Sequence, residues 1–335
     1  MSANGRDPLL VVDELHKSFA VRSALLDRLR MRPQLRAVAV DGVSLFVRRE
    51  ETLGIVGESG SGKTTLARCL LRLIEPDRGS VSFDDIDVTH ANRAALQRVR
   101  RRMQMVFQDP YSSLNPRVKV GAAVSEPARV HGLVGREAAP QHVEHLLGLV
   151  GLPASAADRY PRQLSGGQRQ RVAIARALSV SPEFLVADEP VSALDVSIQA
   201  QILNLMDDLL HSLNLTMIFI AHQLSVVRHI SDRVAIMYLG RVVESGPTRT
   251  VFENPQHPYT AGLLAAAPRP DPSVRHRKPA VRGDIPSPLR IPSGCRFRTR
   301  CPFAEERCAV EDPQLEQVAP EHEVACHVLP FRNAG

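Results

Sequence analysis

The sequence predicts an α/β fold whose open, mainly parallel sheet carries the functional loops at its strand ends. Three apolar runs of strand length support this class, at residues 52–56, 184–188 and 215–221. The first run leads into a glycine-rich loop and then into residues 65–74, where apolar residues recur with helical spacing. With 335 residues, of which 44% are hydrophobic, the chain can bury a large core and has room for more than one domain.

The glycine-rich loop fits G-x-x-x-x-G-K-[ST], the phosphate-binding motif. Its glycines let the backbone curl so that successive N–H groups point at a polyphosphate. Lys63 adds a positive charge, the Thr64 hydroxyl can ligate Mg²⁺, and the start of the following helix favours an anion. A chance match in a glycine-rich turn is disfavoured because strand, loop and helix are in register. The residues predicted to hold the phosphates are Gly57, Glu58, Ser59, Gly60, Ser61, Gly62, Lys63, Thr64 and Thr65.

The segment before this loop is predicted to be rich in strands. Residues 9–21 alternate apolar and polar side chains, and residues 38–47 supply more strand. Phe19, near the end of the first run, is either an ordinary core residue or an aromatic that stacks on a nucleotide base. Residues 22–37 are basic, contain Pro33 and predict an exposed insertion.

Helical patterns dominate the middle of the chain. The elements expected after the phosphate loop are a turn at 75–79, a strand at 80–83, a basic helix at 92–103, a strand at 103–107 ending before Gln108, a helical region at about 113–178 with loops at 132–135 and 151–154, and a helix at 197–212. Within the helical region, the run from Leu164 to Gln168 opens the last helix.

Two strand ends carry residues suited to phosphate chemistry. Asp188 ends an apolar strand, where it is a natural Mg²⁺ partner for a phosphate loop, and Glu189 can polarise an attacking water. The alternative is a surface acid pair before a proline. His222 follows another apolar strand; a single histidine is usually structural, but ligands of open α/β sheets bind at such strand ends.

The net charge of +6 and the pI of about 9.4 permit nucleic acid or anionic lipid as a partner. Arginines cluster at 98–102 and basic residues at 275–278, but aromatic residues are 4% of the chain and do not interleave with them. We therefore expect solvated surfaces and no nucleic-acid partner. No apolar stretch approaches the ~20 residues of a membrane span, and the N-terminus lacks an export signal, so we expect the chain to stay in the cytosol.

The composition changes past about residue 250. Thirteen of the 25 prolines follow residue 254, which favours an irregular appendage over a second packed domain. The expected boundary divides a domain at 1–253 from an extension at 254–335. Four of the five cysteines lie in the extension, and Cys69 is expected to be a core residue.

Taken together, the motifs resemble the ATP-binding cassette (ABC) ATPases over about residues 9–250. The segments that match in order and spacing are the phosphate loop, Gln108, 164–168, 186–189, 192–195 and His222. A narrower resemblance, to the ATPase subunits of oligopeptide, dipeptide and nickel importers, covers nearly the whole chain. It is carried by 108–110, 189–201, 257–260 and 292–302, and the insertion at 22–37 is most like the second, F-type ATPase of peptide importers.

The resemblance implies a P-loop NTPase core, with a RecA-like parallel sheet and an antiparallel β subdomain, a helical subdomain at about 113–178, and the C-terminal extension. It implies that Phe19 stacks on adenine, that Asp188 and Gln108 support Mg²⁺, that Glu189 is the general base and that His222 senses the γ-phosphate. Gln108 is also implied to reach the attacking water and to link the site to the membrane subunit.

The family also implies partners. Ser165, Gly166, Gly167 and Gln168 contact the ATP of the opposite subunit, and Asp195 crosses the same interface, so the active unit is a dimer. The expected partners are a second, distinct ATPase, two membrane permeases and an extracytoplasmic binding protein, at the cytoplasmic face of the inner membrane. Gln223 departs from the family, which usually has Asp after the histidine, and we expect it to tune turnover.

The four cysteines of the extension have the spacing C-x5-C-x6-C-x17-C, at Cys295, Cys301, Cys308 and Cys326. A disulfide pair is disfavoured in a reducing cytosol, and the gaps are longer than those of common zinc sites. A [4Fe–4S] cluster, zinc and free thiols remain as alternatives, and the resemblance to importer subunits favours the cluster.

The expected function is therefore that of an ATPase that energises oligopeptide or dipeptide import. Nickel or another small solute is the alternative cargo, because this subunit does not touch the cargo. A soluble ABC protein acting on nucleic acid or the ribosome is less favoured, since such proteins usually carry two cassettes and this chain has one phosphate loop. Export is less favoured still.

Overall fold

The computed structural model describes residues 7–21, 35–109, 113–266 and 283–331. Most of the predicted insertion at 22–37 and the basic cluster at 275–278 lie outside the described residues. The strands are β1 (Pro8–Ala20), β2 (Arg36–Arg48), β3 (Thr52–Val56), β4 (Arg78–Phe83), β5 (Ile86–Asp87), β6 (Met103–Val106), β7 (Phe184–Asp188), β8 (Thr216–Ala221), β9 (Arg233–Tyr238), β10 (Arg241–Pro247), β11 (Glu316–Ala319) and β12 (His322–Val324).

Three of the described α-helices lie in the region predicted to be helical, at about 113–178. The α-helices are α1 (Lys63–Leu70), α2 (Arg93–Arg102), α3 (Val120–Val130), α4 (Ala139–Leu149), α5 (Gly166–Leu178), α6 (Val196–Leu213), α7 (Leu224–Ile230), α8 (Thr248–Glu253), α9 (Pro258–Ala266) and α10 (Arg307–Val310), with 3-10 turns at Ala154–Asp158 and Pro161–Gln163. In the ranges that the structure describes, no helix has the length and apolar character of a membrane span.

The chain divides into two compact units, each built from several segments. The first unit takes the described parts of 1–10, 47–52 and 83–221, and the second takes those of 11–46, 53–82 and 222–335.

The first unit is built on the parallel strands β6, β7 and β8. β7 is the middle strand, with Val106 of β6 opposite Ala187 and Asp188 opposite Ile220 of β8. Every residue of β7 and β8 is buried, which explains why these segments are continuous apolar runs rather than alternating patterns. In a parallel sheet the carboxyl ends share one edge, so the residues after β6 and β7 are neighbours.

Helices α3, α4 and α5 pack on one another as the helical part of the first unit. Their apolar residues recur at helical spacing, and the buried positions include Val124 of α3, Leu147 of α4 and Ile174 of α5. The loops at Gly132 and Gly151 have positive φ angles, as expected for glycine turns between helices.

The second unit joins β3 in parallel to β9, and β9 in antiparallel to β10. β12 pairs with the other edge of β10, and β11 pairs with β12. The unit also contains most of β2, β1 and β4, which are neighbours in that order in a second sheet. The strands β11 and β12 were not predicted, because segments of 4 and 3 residues are too short to show a period.

A fully buried carboxylate joins β10 to the C-terminal region. Glu244 is 0% exposed and accepts hydrogen bonds from the N–H groups of Gln256 (2.7 Å) and His257 (3.0 Å) and from His322 Nε2 (2.8 Å). A buried carboxylate needs such donors because desolvation is costly. The region after 254 is therefore anchored on the second unit.

Candidate functional site

The phosphate-binding loop lies between β3 and α1, as predicted. Gly62 has a φ of +104°, and a Cβ there would collide with the carbonyl oxygen of Ala39. A Cβ at Gly57 would collide with the carbonyl oxygen of Met237 in β9. Both positions therefore require glycine, Gly62 also because its left-handed backbone disfavours other residues. Gly60 has a φ of +79° but no atom within 4 Å of a Cβ, so only its backbone favours glycine.

Lys63 begins α1 and is 4% exposed. Its Nζ donates to the carbonyl oxygens of Gly57 (2.7 Å) and Glu58 (3.0 Å) and lies 3.4 Å from Ser61 Oγ. The first turn of α1, which includes Thr64 and Thr65, contains no acidic residue. The positive end of the helix and the ammonium group thus act together on an anion at the loop.

The carboxyl ends of β6 and β7 bring Gln108 and Glu189 together in the first unit. Gln108 Nε2 donates to Glu189 Oε2 at 3.0 Å. Glu189 has a φ of +46°, and its N–H donates to the Ile220 carbonyl while its own carbonyl accepts from Ser192 Oγ at 3.0 Å. Asp188, the last residue of β7, is 1% exposed. A carboxylate fixed at a strand end beside an amide can orient a water molecule or a hydrated cation.

The start of α5 carries the predicted signature residues. Ser165 is the N-cap: its Oγ accepts from the Gln168 N–H at 3.3 Å, and Gln168 Oε1 accepts from the Ser165 N–H at 3.1 Å. This reciprocal pair is a capping box. A Cβ on Gly167 would lie 2.6 Å from Ile198 Cγ2 of α6, so glycine allows α5 and α6 to approach closely. Gly166 is half-buried beside it, and Ser165 is exposed.

Asp195 is exposed and precedes α6, and the neighbouring Val196 is 82% exposed. The turn is fixed from behind by Gln199, whose Nε2 donates to the carbonyl oxygens of Val191 and Leu194, both at 2.9 Å. This role of Gln199 was not predicted, although the residue lies in a segment that carries the family resemblance. An exposed, rigid turn is suited to contact with another protein.

Two further predicted residues are exposed. Phe19 is 40% exposed, so it is not a core residue. Lys17 Nζ lies 5.7 Å from the centroid of its ring. His222 follows β8 and is exposed, as is Gln223. The large apolar ring of Phe19 is thus available for stacking at the end of β1.

The four cysteines of the extension are close enough to influence one another. Burial, together with the charges of the other three cysteines and against an opposing hydrogen bond from the Phe297 N–H, raises the pKa of Cys295 to about 11. Burial is also the main cause of the raised pKa values of Cys301 and Cys326. The backbone N–H groups of Phe297, Phe303, Val328 and Leu329 donate to sulfur atoms of this set.

Across the described ranges, no three His, Cys, Asp or Glu side chains are grouped as ligands of one metal ion. Zinc would need four ligands within about 2.3 Å of one centre. The observation therefore supports neither a zinc site nor an iron–sulfur cluster at these cysteines. Cys69 is buried, as predicted for a core residue, and burial raises its pKa to about 11.

Comparisons with known proteins first define the class to which this chain belongs. Residues 40–192 match the ABC transporter family, and residues 243–308 match the family described as the oligopeptide/dipeptide transporter, C-terminal region. Among solved structures, a dimer of the ATP-binding cassette MJ0796 in a post-hydrolysis state with ADP and Pi superimposes with a TM-score of 0.63. It is 28% identical, covering 72% of this chain and 99% of that one. The predicted α/β, P-loop ABC fold is therefore confirmed.

Relatives over the full length narrow the class. The oligopeptide transport ATP-binding protein AppF of Bacillus subtilis is 47% identical, covering 98% of this chain and 99% of its own length. A Brucella ovis protein named as a peptide import ATP-binding protein is 49% identical over 319 residues, covering 95% of this chain and 97% of its own length. The chain belongs to the ABC transporter family as an ATP-binding subunit of the oligopeptide/dipeptide type, and it is an ATPase.

Proposed function

We propose that this ATPase energises the import of oligopeptides or dipeptides through a membrane ABC transporter. The observation that carries the proposal is the presence, in one chain, of the ABC region and the oligopeptide/dipeptide transporter C-terminal region, at 47–49% identity to peptide transport subunits. The phosphate loop and the Gln108–Glu189 pair supply the chemistry.

In the proposed hydrolysis of ATP, each of the site residues has a separate role. Lys63 and the N–H groups at the start of α1 hold the phosphates and stabilise the charge that develops on them. Glu189 accepts a proton from the attacking water, whose oxygen forms the new bond to the γ-phosphorus while the bond to the leaving ADP oxygen breaks. Thr64, Gln108 and Asp188 would hold Mg²⁺, which neutralises phosphate charge when bound. His222 would contact the γ-phosphate, and Phe19 the adenine.

The proposed active unit is a heterodimer with a second, similar ATPase. The exposed start of α5, at Ser165, would contact the partner's ATP through its helix N-terminus, together with Gly166, Gly167 and Gln168. The exposed turn at Asp195 would lie at the same interface, and Gln199 would keep it rigid.

The further proposed partners are two membrane permeases and an extracytoplasmic binding protein, with this subunit on the cytoplasmic face of the membrane. A groove of about 690 Å³ in the helical part of the first unit supports permease docking. It combines the apolar Leu114 and Val130 with Arg129, Arg136 and Arg176, of which Arg176 lies 3.5 Å from the one acid among the described lining residues, Glu126. A helix with apolar and acidic side chains would suit this excess of positive charge.

The test is uptake in the native host, with Glu189→Gln compared with wild type and with the surface control Glu137→Gln. The readouts are growth of an amino-acid auxotroph on di- to pentapeptides and cellular nickel. Loss of growth on peptides, with nickel unchanged, is the expected result. Loss of nickel alone would overturn the peptide cargo, and no change in either would overturn the transport role.

For the cysteines we propose one [4Fe–4S] cluster held by Cys295, Cys301, Cys308 and Cys326. Their proximity and the N–H donors to sulfur support it, because such hydrogen bonds tune clusters. Anaerobically purified protein should be brown and contain iron and labile sulfide. Cys308→Ser should lose them, and Cys69→Ser should keep them. Colourless wild-type protein, with zinc or without metal, would overturn the cluster.

A further inference from the structure

Glu58, the second residue of the phosphate-binding loop, is held by two residues far away in the sequence. Its backbone N–H donates to Tyr259 Oη at 2.9 Å. Its carboxylate accepts two hydrogen bonds from Arg300, from Nη1 to Oε2 at 2.7 Å and from Nη2 to Oε1 at 3.0 Å. This two-bond geometry is the most specific that arginine and a carboxylate can form. Both partners lie after residue 254, in the second unit with the loop itself.

Glu58 in turn supports the residues that face the phosphates. Its carbonyl oxygen accepts from Lys63 Nζ at 3.0 Å and from the Ser61 N–H at 3.2 Å. The N–H, the carbonyl and the carboxylate of one residue are therefore all engaged. A shift of Glu58 would move an anchor of the lysine ammonium group.

Arg300 is built into the core beneath the loop. It is 7% exposed, and its guanidinium carbon lies 5.7 Å from the ring centroid of Tyr238 and 6.0 Å from that of Phe297. Tyr259 packs against both rings, at 4.7 Å and 5.5 Å between centroids. These three aromatic residues are at most 1% exposed. The two hydrogen bonds to the Glu58 carboxylate offset the cost of burying this cation.

The negative charge of Glu58 explains why its contact with Arg300 matters for ATP binding. A carboxylate in a loop that binds a polyphosphate repels its ligand unless it is neutralised. Glu58 is that carboxylate, and its side chain is 27% exposed. Arg300 neutralises it, and a lysine could not provide the same fork of donors.

We propose that Arg300 and Tyr259 are positioning residues for ATP binding, through which the C-terminal region fixes and neutralises Glu58 in the phosphate-binding loop. The inference rests on the proposed function of that loop. It assigns the C-terminal region a direct part in ATP affinity.

The test is the dissociation constant for ATP of the purified full chain, with the melting temperature measured in parallel. Arg300→Gln should weaken ATP binding about tenfold, because it leaves an unpaired carboxylate beside the phosphates. Tyr259→Phe should weaken it about threefold, because the ring stays and only the acceptor of the Glu58 N–H is lost. In the assembled transporter, the KM for ATP should rise in proportion, with kcat at saturating ATP nearly unchanged.

A double variant separates charge from packing. Glu58→Gln combined with Arg300→Gln should recover most of the affinity, because the repulsive carboxylate is gone. The matched control is Arg298→Gln: Arg298 belongs to the same segment but is bonded to Ser293, at 2.8 Å to the carbonyl oxygen and 3.2 Å to Oγ. It should leave ATP affinity unchanged.

Three results would overturn the inference: unchanged affinity in a folded Arg300→Gln, an equal loss in Arg298→Gln, or no recovery in the double variant. A folded wild-type chain that does not bind ATP would instead refute the proposed function. Affinity and melting temperature are read separately, so a variant that only destabilises the fold is recognised.

Discussion

Two regions carry the predicted ATP chemistry, the phosphate-binding loop of the second unit and the strand ends of the first, and they differ in how they are held. Lys63 is 4% exposed and bonded to its own loop, and Glu58 is held through three of its groups. Gln108, Ser165 and Asp195 are all exposed. The chain thus holds Lys63 and Glu58 by internal hydrogen bonds, and it leaves Gln108, Ser165 and Asp195, which are proposed to meet Mg²⁺, water or another subunit, exposed.

The largest expected effect is at the strand ends of the first unit. Glu189→Gln should lower kcat for ATP hydrolysis about 1,000-fold, because the amide cannot accept the proton of the attacking water. ATP affinity should be retained, since the amide oxygen can still accept from Gln108 at 3.0 Å. Steady-state hydrolysis by the assembled transporter and ATP binding by the purified chain check both parts. Wild-type turnover would remove Glu189 from its role.

Substitution of the buried Lys63 should change the affinity for ATP. Lys63→Ala should weaken ATP binding about 100-fold, because a charged donor to the phosphates is lost. Equilibrium binding of a fluorescent ATP analogue measures it. Lys119→Ala is the control, since Lys119 pairs with Asp158 at the surface, at 3.0 Å. An equal loss in both variants would contradict a specific role for Lys63.

Two glycines test how tightly the loop is confined. Gly62→Ala should lower the free energy of unfolding by about 2 kcal/mol or more, because strain at a φ of +104° adds to a collision with Ala39. Gly60→Ala should cost about 1 kcal/mol, because its φ of +79° is strained but a Cβ has open space. Urea unfolding measures both. Equal losses of unfolding free energy in the two variants would show that the backbone around Gly62 can move to accommodate a Cβ.

A further expected effect concerns stability at acid pH. Burial lowers the pKa of His257 to about 4, against the opposing charge of Glu244. The unfolded chain binds the proton at about pH 6.5, so the stability from neutral His257 is complete above that pH and falls as the pH drops to about 4. In His257→Asn, which can still accept the Tyr259 N–H, urea unfolding should show a weaker loss over this window. Parallel curves would exclude His257 as the cause.

Local patterns predicted the fold and the phosphate-binding loop because their signals lie within a few residues. β3, the loop and the start of α1 agree with prediction, but α1 ends at Leu70 rather than continuing to residue 74. Arg72 has a φ of +47°, and the Leu73 N–H turns back to the Arg68 carbonyl, so the apolar spacing continues through a turn.

Long-range partners could not be predicted in the same way. Arg300 and Glu58 are separated by 242 positions, and no period or spacing links them. Both were visible only as members of separate segments that resemble the family. The residue roles, the domain boundary at 253 and the heterodimer stay predictions.

The pairing of β12 with β10 has a consequence for how far this protein can be shortened. β12 occupies the hydrogen-bonding side of β10 at Glu244 and Ser245, and the Ala325 N–H donates to the Val243 carbonyl. A chain cut after 253 would expose that row of backbone groups, which is a template for intermolecular strand addition and aggregation. It would also leave Glu244 without the donors from Gln256, His257 and His322. The C-terminal region thus covers a strand edge that would otherwise be open to other chains.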